Sequence, residues 1–478
     1  MLIITMKKRL PHLIIPFVLH LSFVGQVWGE FKNYLGDEVR DIGVNIKSLD
    51  INTVIEQGLR LNHDQHLRQF EGELIDLNWK DAYYSFWFPQ VDIVMTSSEL
   101  LSSINQKTKP PQNNFKAPTG TVGIEVKEYS LFNWGKDYLQ YQSDKNTYQR
   151  NVQALGEQRR ELKLMLMAEY FNLITLKKIE FFKKEQLRHA SFVYRLNKEK
   201  FTLNKIRKQE YLQSRDEFLR AQDEYQEALM NAAVGDERIA YLIGDSSSTR
   251  YTLKENIVYK KIFIKQEEAF QMSAQRNPDV LNTLNDVENA NINYEIEQKD
   301  NLPLPKISLN FGAYRHSFGQ DHHHTHYERT PHDGDVDLSA SINATWNLVG
   351  PGGLFNSRKT ARALVTKNMA VKNYLKYKHL TKSQIREAFK KIIHLQSQIE
   401  ILDAKIETVE KTFDTTLDNY TRTQTSFINI KDSLISMTQT KEDYAMALLA
   451  HLQQKITLAK LIGVENLPND IFETLTKQ

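Results

Sequence analysis

The chain contains one long internal repeat, and this constrains its fold more than any other feature. An opening Asn62 and a closing Leu-Ile-Gly ending at Gly244 reappear as Asn277 and as a Leu-Ile-Gly ending at Gly463. The offset between matching residues rises only from 215 at the start to 219 at the end. Solenoid repeats are much shorter, roughly 20–50 residues. The pattern therefore predicts two copies of one large unit, each with long helices and a pair of strands.

Composition excludes several classes of protein. Charged residues make up 25% of the 478 residues and the mean hydropathy is −0.51, which argues against a multi-span helical membrane protein. Of the 62 basic residues, three lie in the acid-free segment 1–29, which leaves 59 to balance 59 acidic residues. A nucleic-acid partner is not expected, because phosphate binding needs a cationic excess.

The first 29 residues resemble a secretory signal peptide. A basic head, Lys7–Arg9, precedes an apolar stretch, and small residues near Gly29 suit cleavage before Glu30. A membrane anchor is the alternative, but the stretch is short and broken by prolines. The chain has no cysteine, so an exported form would have neither disulfides nor a lipid on an N-terminal cysteine. Residues 30–48 are a polar lead-in.

Four segments alternate between apolar and small polar residues, as half-buried strands do. They are predicted at about 90–98, 121–131, 305–314 and 336–347, two in each repeat. The fourth is the most regular, from Val336 to Trp346. Strands of about ten residues with one apolar face are typical of a transmembrane barrel with a wet lumen, although a soluble antiparallel sheet alternates in the same way. Long polar loops, 97–119 and 316–335, join each pair.

Helices of unusual length follow each strand pair. Apolar residues from Ile385 to Tyr420 follow a heptad seam, and Leu162 to Leu176 follow the same period. A proline-free run of about 65 residues corresponds to roughly 100 Å of helix. In the opening helices, Leu67, Phe70, Leu74 and Leu77 keep the spacing of one buried face, and Asn277 with Pro278 is expected to cap a helix.

One chain cannot close a barrel, because it supplies four strands and the smallest outer-membrane barrels have about eight. Open sheet edges are not tolerated in lipid, so transmembrane strands would require a dimer of eight strands or a trimer of twelve. The strand count alone does not choose between them.

The ordered set of features, occurring twice, resembles the TolC family of outer-membrane efflux proteins. The resemblance covers residues 49 to 463: a first repeat at 49–244, a linker at 245–260 and a second repeat at 261–463. A tail at 464–478 follows. It implies a mainly α fold with a β-barrel, in which three chains form a 12-stranded barrel and a helical tunnel. It also implies a homotrimer in the Gram-negative outer membrane, extending into the periplasm and working with a periplasmic adaptor and an inner-membrane transporter.

The resemblance also implies a gate at the helix–helix turn late in each repeat. Tyr420 begins the second turn, Glu210 stands where the family tends to have Asp, and Arg422 lies near the place of a tip arginine. Two aspartates that line the family's closed mouth correspond to Asn429 and Asp432. The turn glycines are replaced by Asn204 and Thr423. Three copies of Asp432 near one axis would favour cations; a solvated helix residue is the alternative. Tyr420 is either a gate tie or a heptad packing residue.

A histidine-rich tract lies in the second long loop, with neighbouring Asp and Glu residues. Neutral imidazoles can chelate zinc, copper or nickel, so the tract is one candidate metal site. An ordinary variable exterior loop is the favoured interpretation. The four candidate ligands are His322, His323, His324 and His326.

No cofactor is expected, and no enzyme motif is present: there is no phosphate loop, no Gly-x-Ser-x-Gly and no His-Glu-x-x-His. The main hypothesis is a passive export duct of a tripartite efflux pump or type I secretion system. The alternative is a structural or adhesive coiled-coil surface protein without a lumen.

Overall fold

The computed structural model describes residues 46–97, 120–318, 336–349, 357–422 and 424–477. Several predictions fall outside these residues: the signal peptide, residues 30–45 of the lead-in, and most of the two long loops. The elements of the first repeat are β1 (Ile46–Ser48), α1 (Ile51–Leu61), α2 (His63–Trp87), β2 (Asp92–Ser97), β3 (Gly120–Phe132), α3 (Lys136–Thr202) and α4 (Lys208–Ile243). Those that follow are β4 (Arg250–Thr252), β5 (Asn256–Ile257), α5 (Gln266–Arg276), α6 (Pro278–Asp300), β6 (Lys306–Phe318), β7 (Val336–Thr345), α7 (Arg358–Thr421), α8 (Phe427–Ile462) and β8 (Thr476–Lys477).

The two repeats fold into the same order of elements. Each has opening helices, a strand pair, one very long helix and one 36-residue helix, α4 or α8. The long helices α3 and α7 have 67 and 64 residues, close to the predicted length. Both 36-residue helices end at the predicted glycine, with φ +74° at Gly244 and +85° at Gly463. This left-handed backbone favours glycine and explains the Leu-Ile-Gly ending of each repeat.

Helix starts follow the sequence signals. Asn277 caps α6, its side-chain oxygen accepting the Val280 N–H at 2.9 Å, and Pro278 is the first helical residue. The matching Asn62 accepts the Asp64 N–H at 2.9 Å and donates to the Leu242 carbonyl, also at 2.9 Å. The helix cap predicted at Asn277 and Pro278 is therefore confirmed.

All four predicted strands are present and form one antiparallel sheet in the order β2-β3-β6-β7. The register places Ile93, Ile124, Ala313 and Leu338 in one row across the sheet, and Asp92, Glu125, Gly312 and Ser339 in the next. Successive residues face opposite sides, so the sheet has the predicted apolar and polar faces. β6 runs to Phe318, beyond the predicted end at 314, because its pairing with β3 continues to Gly120.

The residues pack as two compact units. Unit 1 contains residues 46–67, Gln158–Phe270 and 384–477. It holds the C-terminal parts of α3 and α7, from Gln158 and Gln384 onward, and all of α4 and α8. It also holds two small sheets, β1-β4 and β5-β8. The tail belongs to this unit: Phe472 and Leu475 are buried, and the ammonium of Lys455, fully buried in α8, forms an ion pair with Asp470.

Unit 2 contains residues 68–157 and 271–383 and includes the four-stranded sheet. The start of α3 is fixed there by Lys136, whose ammonium lies 2.6 Å from the Asp300 carboxylate. The Trp134 indole N–H donates to the Pro305 carbonyl at 2.9 Å. Helices α2 and α3 meet through stacked rings, with centroids 5.2 Å apart for Trp79 and Tyr148.

The predicted burial of one face of α2 was wrong for the single chain. We expected the apolar face of α2 to be buried, but none of its residues is buried. The exposed fractions of Leu67, Phe70, Leu74 and Leu77 lie between 55% and 63%. The helical period was read correctly, but no other part of the described chain covers this face.

Candidate functional site

The first helical hairpin turns between α3 and α4, in unit 1. Asn204 has φ +54°, and its N–H donates to the Phe201 carbonyl at 2.9 Å. The Lys205 N–H donates to the Lys200 carbonyl at 2.8 Å. These two bonds form a Schellman ending, which needs a left-handed residue. Asparagine adopts that conformation more readily than most residues, which explains how Asn204 replaces the expected glycine.

The second hairpin turns between α7 and α8 with a related closure. The Gln424 N–H donates to the Asn419 carbonyl at 2.8 Å, spanning six residues as in the first turn. Thr423, predicted at the left-handed position, lies outside the described residues. Ser426 then precedes α8 in extended conformation. The two repeats therefore end their long helices in corresponding ways.

Tyr420, at the end of α7, ties the two hairpins together. Its side chain is buried, and its hydroxyl donates to the Asn197 side-chain oxygen on α3 at 2.5 Å. The Lys200 ammonium, also on α3, donates to the Tyr420 carbonyl at 3.1 Å and lies 4.6 Å from the centre of its ring. Tyr420 thus makes both contacts that the sequence left as alternatives: it bonds across the hairpins and it packs in the core.

Burial shifts the pKa values of the two side chains in this contact, Tyr420 and Lys200. It raises the pKa of Tyr420 to about 12, with a smaller contribution from Glu210. Burial also lowers the pKa of Lys200, which the negative charge of Glu210 partly opposes. Glu210, half-exposed on α4, therefore acts on both members of the contact. Sequence reasoning missed Asn197 and Lys200, because heptad spacing does not reveal which partner a terminal tyrosine meets.

An apolar cluster lies behind the contact and joins four helices. It draws on α3, α4, α7 and α8, so both hairpins share one core. Its buried members are Ala190, Val193, Ala221, Phe413, Tyr420, Phe427, Ile430, Leu434 and Met437. Packing of this kind restricts movement of one hairpin against the other.

Asn429 and Asp432 lie on the exposed side of α8. They are three residues apart and therefore neighbours on the helix surface, and they lie opposite the buried Phe427, Ile430 and Leu434. The Asn429 amide donates to the Thr425 hydroxyl at 2.9 Å. Arg422 is exposed just beyond α7, and its backbone N–H donates to the Asp418 carbonyl at 3.2 Å. Glu210 lies close enough to Tyr420 to raise its pKa, while Asn429 and Asp432 present a separate polar face.

The four loop histidines named as candidate metal ligands lie outside the described residues. Within the described ranges, no group of three or more His, Asp or Glu side chains is arranged to hold a metal ion. In the same ranges, no helix combines the length and the apolar character that crossing a membrane requires.

Each repeat supplies a long helical hairpin and two strands, and the four strands form one antiparallel sheet; this is the fold of TolC-type outer-membrane channels. Solved structures of such channels share this fold. CusC, described for transmembrane channel formation, aligns over 88% of this chain and 94% of its own, with a TM-score of 0.71 and 16% identity.

Two further outer-membrane proteins align as well. The outer-membrane protein VceC of Vibrio cholerae matches over 87% of this chain and 96% of its own, with a TM-score of 0.70 and 13% identity. The CmeC outer-membrane channel of Campylobacter jejuni matches over 90% and 88%, with a TM-score of 0.70 and 16% identity. No protein-family model and no curated protein sequence matches the chain. At these identities the similarity establishes the fold, and the predicted fold is confirmed.

Proposed function

We propose that this chain is the outer-membrane channel subunit of an export system. It would conduct substrates passively across the periplasm and the outer membrane of a Gram-negative bacterium. The observation that carries the proposal is the four-stranded sheet, with one apolar and one polar face, attached to long helical hairpins. A coiled-coil stalk has no use for such a sheet.

The two edges of the sheet support assembly from several chains. In the described residues, β2 pairs only with β3 and β7 only with β6. Unpaired edges cannot persist in lipid, so the edges of neighbouring copies would join. Three copies give twelve strands, the number that the fold's resemblance to TolC implies, and the polar face containing Ser339 and Ser341 would line the water-filled bore.

The apolar face of the sheet supports contact with lipid. Leu338, Ile342 and Ile93 have exposed fractions between 70% and 77% in the single chain. Several neighbouring apolar side chains exposed to this extent mark a surface that another apolar phase covers. Outer-membrane lipid is that phase in the proposed location.

The hairpin ends support a gate. Tyr420, Asn197, Lys200 and Glu210 would hold the hairpins closed, and Asp432 with Asn429 would line the mouth. Arg422 would lie at the tip. A periplasmic adaptor and an inner-membrane transporter would be the partners that open the gate and supply energy. The residue ranges 49–244 and 261–463 would be the two repeats of the duct.

A planar-bilayer experiment tests the proposal. Protein inserted in a salt gradient should give discrete, cation-selective current steps. Asp432→Asn should move the reversal potential toward zero, because three copies of the variant remove three negative charges at the mouth. Asp418→Asn, an exposed aspartate on α7, is the matched control and should leave the reversal potential unchanged.

Absence of current in the same bilayer experiment would contradict the proposal. A protein that inserts but carries no current, even when Tyr420→Phe weakens the hairpin contact, contradicts the duct. It would instead support the alternative of a surface stalk without a lumen. If current appears but Asp432→Asn has no effect, the duct stands and the assignment of the mouth is wrong.

A further inference from the structure

A cavity lies in unit 2 at the end of the four-stranded sheet that is joined to the helices. Its volume is about 440 Å³, within the range of small-molecule sites. It is lined by residues from the start of β6, the end of β7, the end of α6 and the first turns of α3 and α7. We name it the junction cavity, because strands and helices of both repeats meet there.

The lining of the junction cavity carries an excess of positive charge. It contains three lysines, Lys136, Lys306 and Lys359, and one carboxylate, that of Asp300. The Lys136 ammonium lies 2.6 Å from the Asp300 carboxylate, so these two charges neutralise each other. The charge that remains comes from Lys306 and Lys359.

Lys306 and Lys359 are only loosely paired within the chain. The Lys306 ammonium lies 4.0 Å from the Glu128 carboxylate and the Lys359 ammonium lies 4.0 Å from that of Glu297, which is the outer limit of an ion pair. Neither glutamate is among the residues that line the cavity. The two lysine side chains are 41% and 42% exposed. Because an ammonium group has three donors, each lysine can also bond an anion in the cavity.

One border of the junction cavity is apolar and exposed. Leu302, Trp346 and Leu348 line it and have exposed fractions between 50% and 55%. In the sequence, Trp346 and Leu348 continue the alternation of Leu338 and Ile342, the apolar residues of β7. The cavity therefore connects a positively charged region to the apolar face of the sheet.

Tryptophans mark the same end of the sheet. Three of the five in the chain stand between a strand and a helix: Trp87 ends α2, Trp134 precedes α3 and Trp346 follows β7. Their exposed fractions lie between 37% and 55%. Tryptophan is enriched where a membrane protein passes from lipid to water. Under the proposed function, this end of the sheet lies at the periplasmic boundary of the membrane.

We propose that the junction cavity binds the headgroup of an anionic phospholipid. The inference rests on the proposed function, which places the cavity beside the inner leaflet. The lipid phosphate bonds Lys306 and Lys359, and the acyl chains lie against Trp346 and Leu348 and continue along the apolar face. Basic pockets at the edge of the membrane recognise lipid headgroups in this way. A free phosphate ion would use the lysines but not the apolar border, so both features together favour a lipid.

Native mass spectrometry of the detergent-extracted trimer tests the proposal. The probes are phosphatidylglycerol and phosphatidylcholine with identical acyl chains, which differ in net charge. Phosphatidylglycerol should occupy up to three sites per trimer, one per copy, at concentrations where phosphatidylcholine binds several-fold less. Inorganic phosphate should displace it no more than sodium chloride of equal ionic strength does.

The double variant Lys306→Gln/Lys359→Gln should lower the affinity for phosphatidylglycerol roughly 25-fold, about fivefold for each charge removed near an anionic lipid. Lys306→Arg/Lys359→Arg should keep the preference for the anionic lipid. Lys372→Gln/Lys376→Gln is the matched control, because it removes the same charge from exposed positions of α7, roughly 20–25 Å beyond Lys359. Should the double variant not assemble, Lys359→Gln alone should lower the affinity about fivefold.

Each contrary result overturns the inference. Equal binding of the two lipids shows no headgroup site, and an equal loss in the Lys372→Gln/Lys376→Gln control shows a general effect of charge. Full displacement by inorganic phosphate shows a simple anion site. In each case a trimer that still conducts in bilayers leaves the duct standing. If the protein is a monomer that does not bind membranes, the proposed function and the inference both fail.

Discussion

The two units differ in how much apolar surface the single chain covers. Unit 1 buries aromatic and branched side chains along α3, α7 and α8, including Phe413, Ile392 and Leu166. In unit 2, the buried apolar side chains among the described residues are Leu139, Val280 and Ala290. Its strands and α2 expose their apolar faces instead. Unit 1 has a core of its own, whereas the described residues of unit 2 leave these apolar faces exposed; under the proposed function, lipid and neighbouring copies would cover them.

This difference explains why heptad spacing predicted buried contacts in unit 1, whereas strand alternation in unit 2 predicted only which face is apolar. A buried heptad seam is satisfied within the chain, so sequence spacing predicts contacts that the structure contains. The strands and α2 in unit 2 show the same regularity, but the described residues of the chain do not cover their apolar faces. The pattern therefore identifies the apolar face but does not identify what covers it.

The largest expected effect on assembly comes from charging the apolar face of the sheet. Ile342→Arg would place a guanidinium in lipid, at a cost of about 2–4 kcal/mol per chain near the bilayer centre. We expect the heat-modifiable trimer extracted from membranes to be lost. Ser341→Arg, one residue earlier and on the polar face, should retain it. Equal loss in both variants would contradict the assignment of the two faces.

The core of unit 1 should be sensitive in a different way. Phe413→Ala removes a ring buried between the hairpins and should lower the free energy of unfolding by about 3–5 kcal/mol. Thr412→Ala, at an exposed neighbour, should change it by less than about 0.5 kcal/mol. Thermal or denaturant unfolding in detergent measures both. A small effect of Phe413→Ala would show that unit 1 does not depend on this core.

The buried His451 in α8 should make unit 1 sensitive to acid. Burial, with a smaller effect from Lys455, lowers the pKa of His451 from 6.5 to about 4. Because the unfolded chain takes up a proton at higher pH, stability is full above pH 6.5 and is lost as pH falls toward 4. The loss amounts to at most about 3 kcal/mol. His451→Gln should flatten the unfolding midpoint between pH 6.5 and 4.5, and His394→Gln, at an exposed histidine, should not.

The smallest expected effect concerns the contact at the hairpin ends. Tyr420→Phe removes one buried hydrogen bond and should cost about 1 kcal/mol. We expect little change in unfolding but a higher probability of conducting states in bilayers. Tyr138→Phe, at an exposed tyrosine, is the control. If Tyr420→Phe leaves conductance as it was, Tyr420 is a packing residue alone.

The sequence predicted the strands, the helix lengths and the glycine endings because each depends on local periodicity or backbone conformation. Asn204 is an example, since its left-handed φ follows from its place after a long helix. The partners of Tyr420 were not predictable, because Asn197 and Lys200 are more than 200 residues away and lie on a helix whose facing direction only packing determines. The exposure of Phe70 and Leu74 was missed for the opposite reason: correct spacing does not say whether the partner is in the same chain.

The central claim is that one chain supplies only part of a wall, which several copies complete. The mass of the folded, detergent-extracted protein, measured by light scattering with the detergent contribution subtracted, tests this most directly. Three copies per particle, dissociating on heating, is the predicted result. A monomer that stays in solution without detergent and does not bind bilayers would contradict the claim.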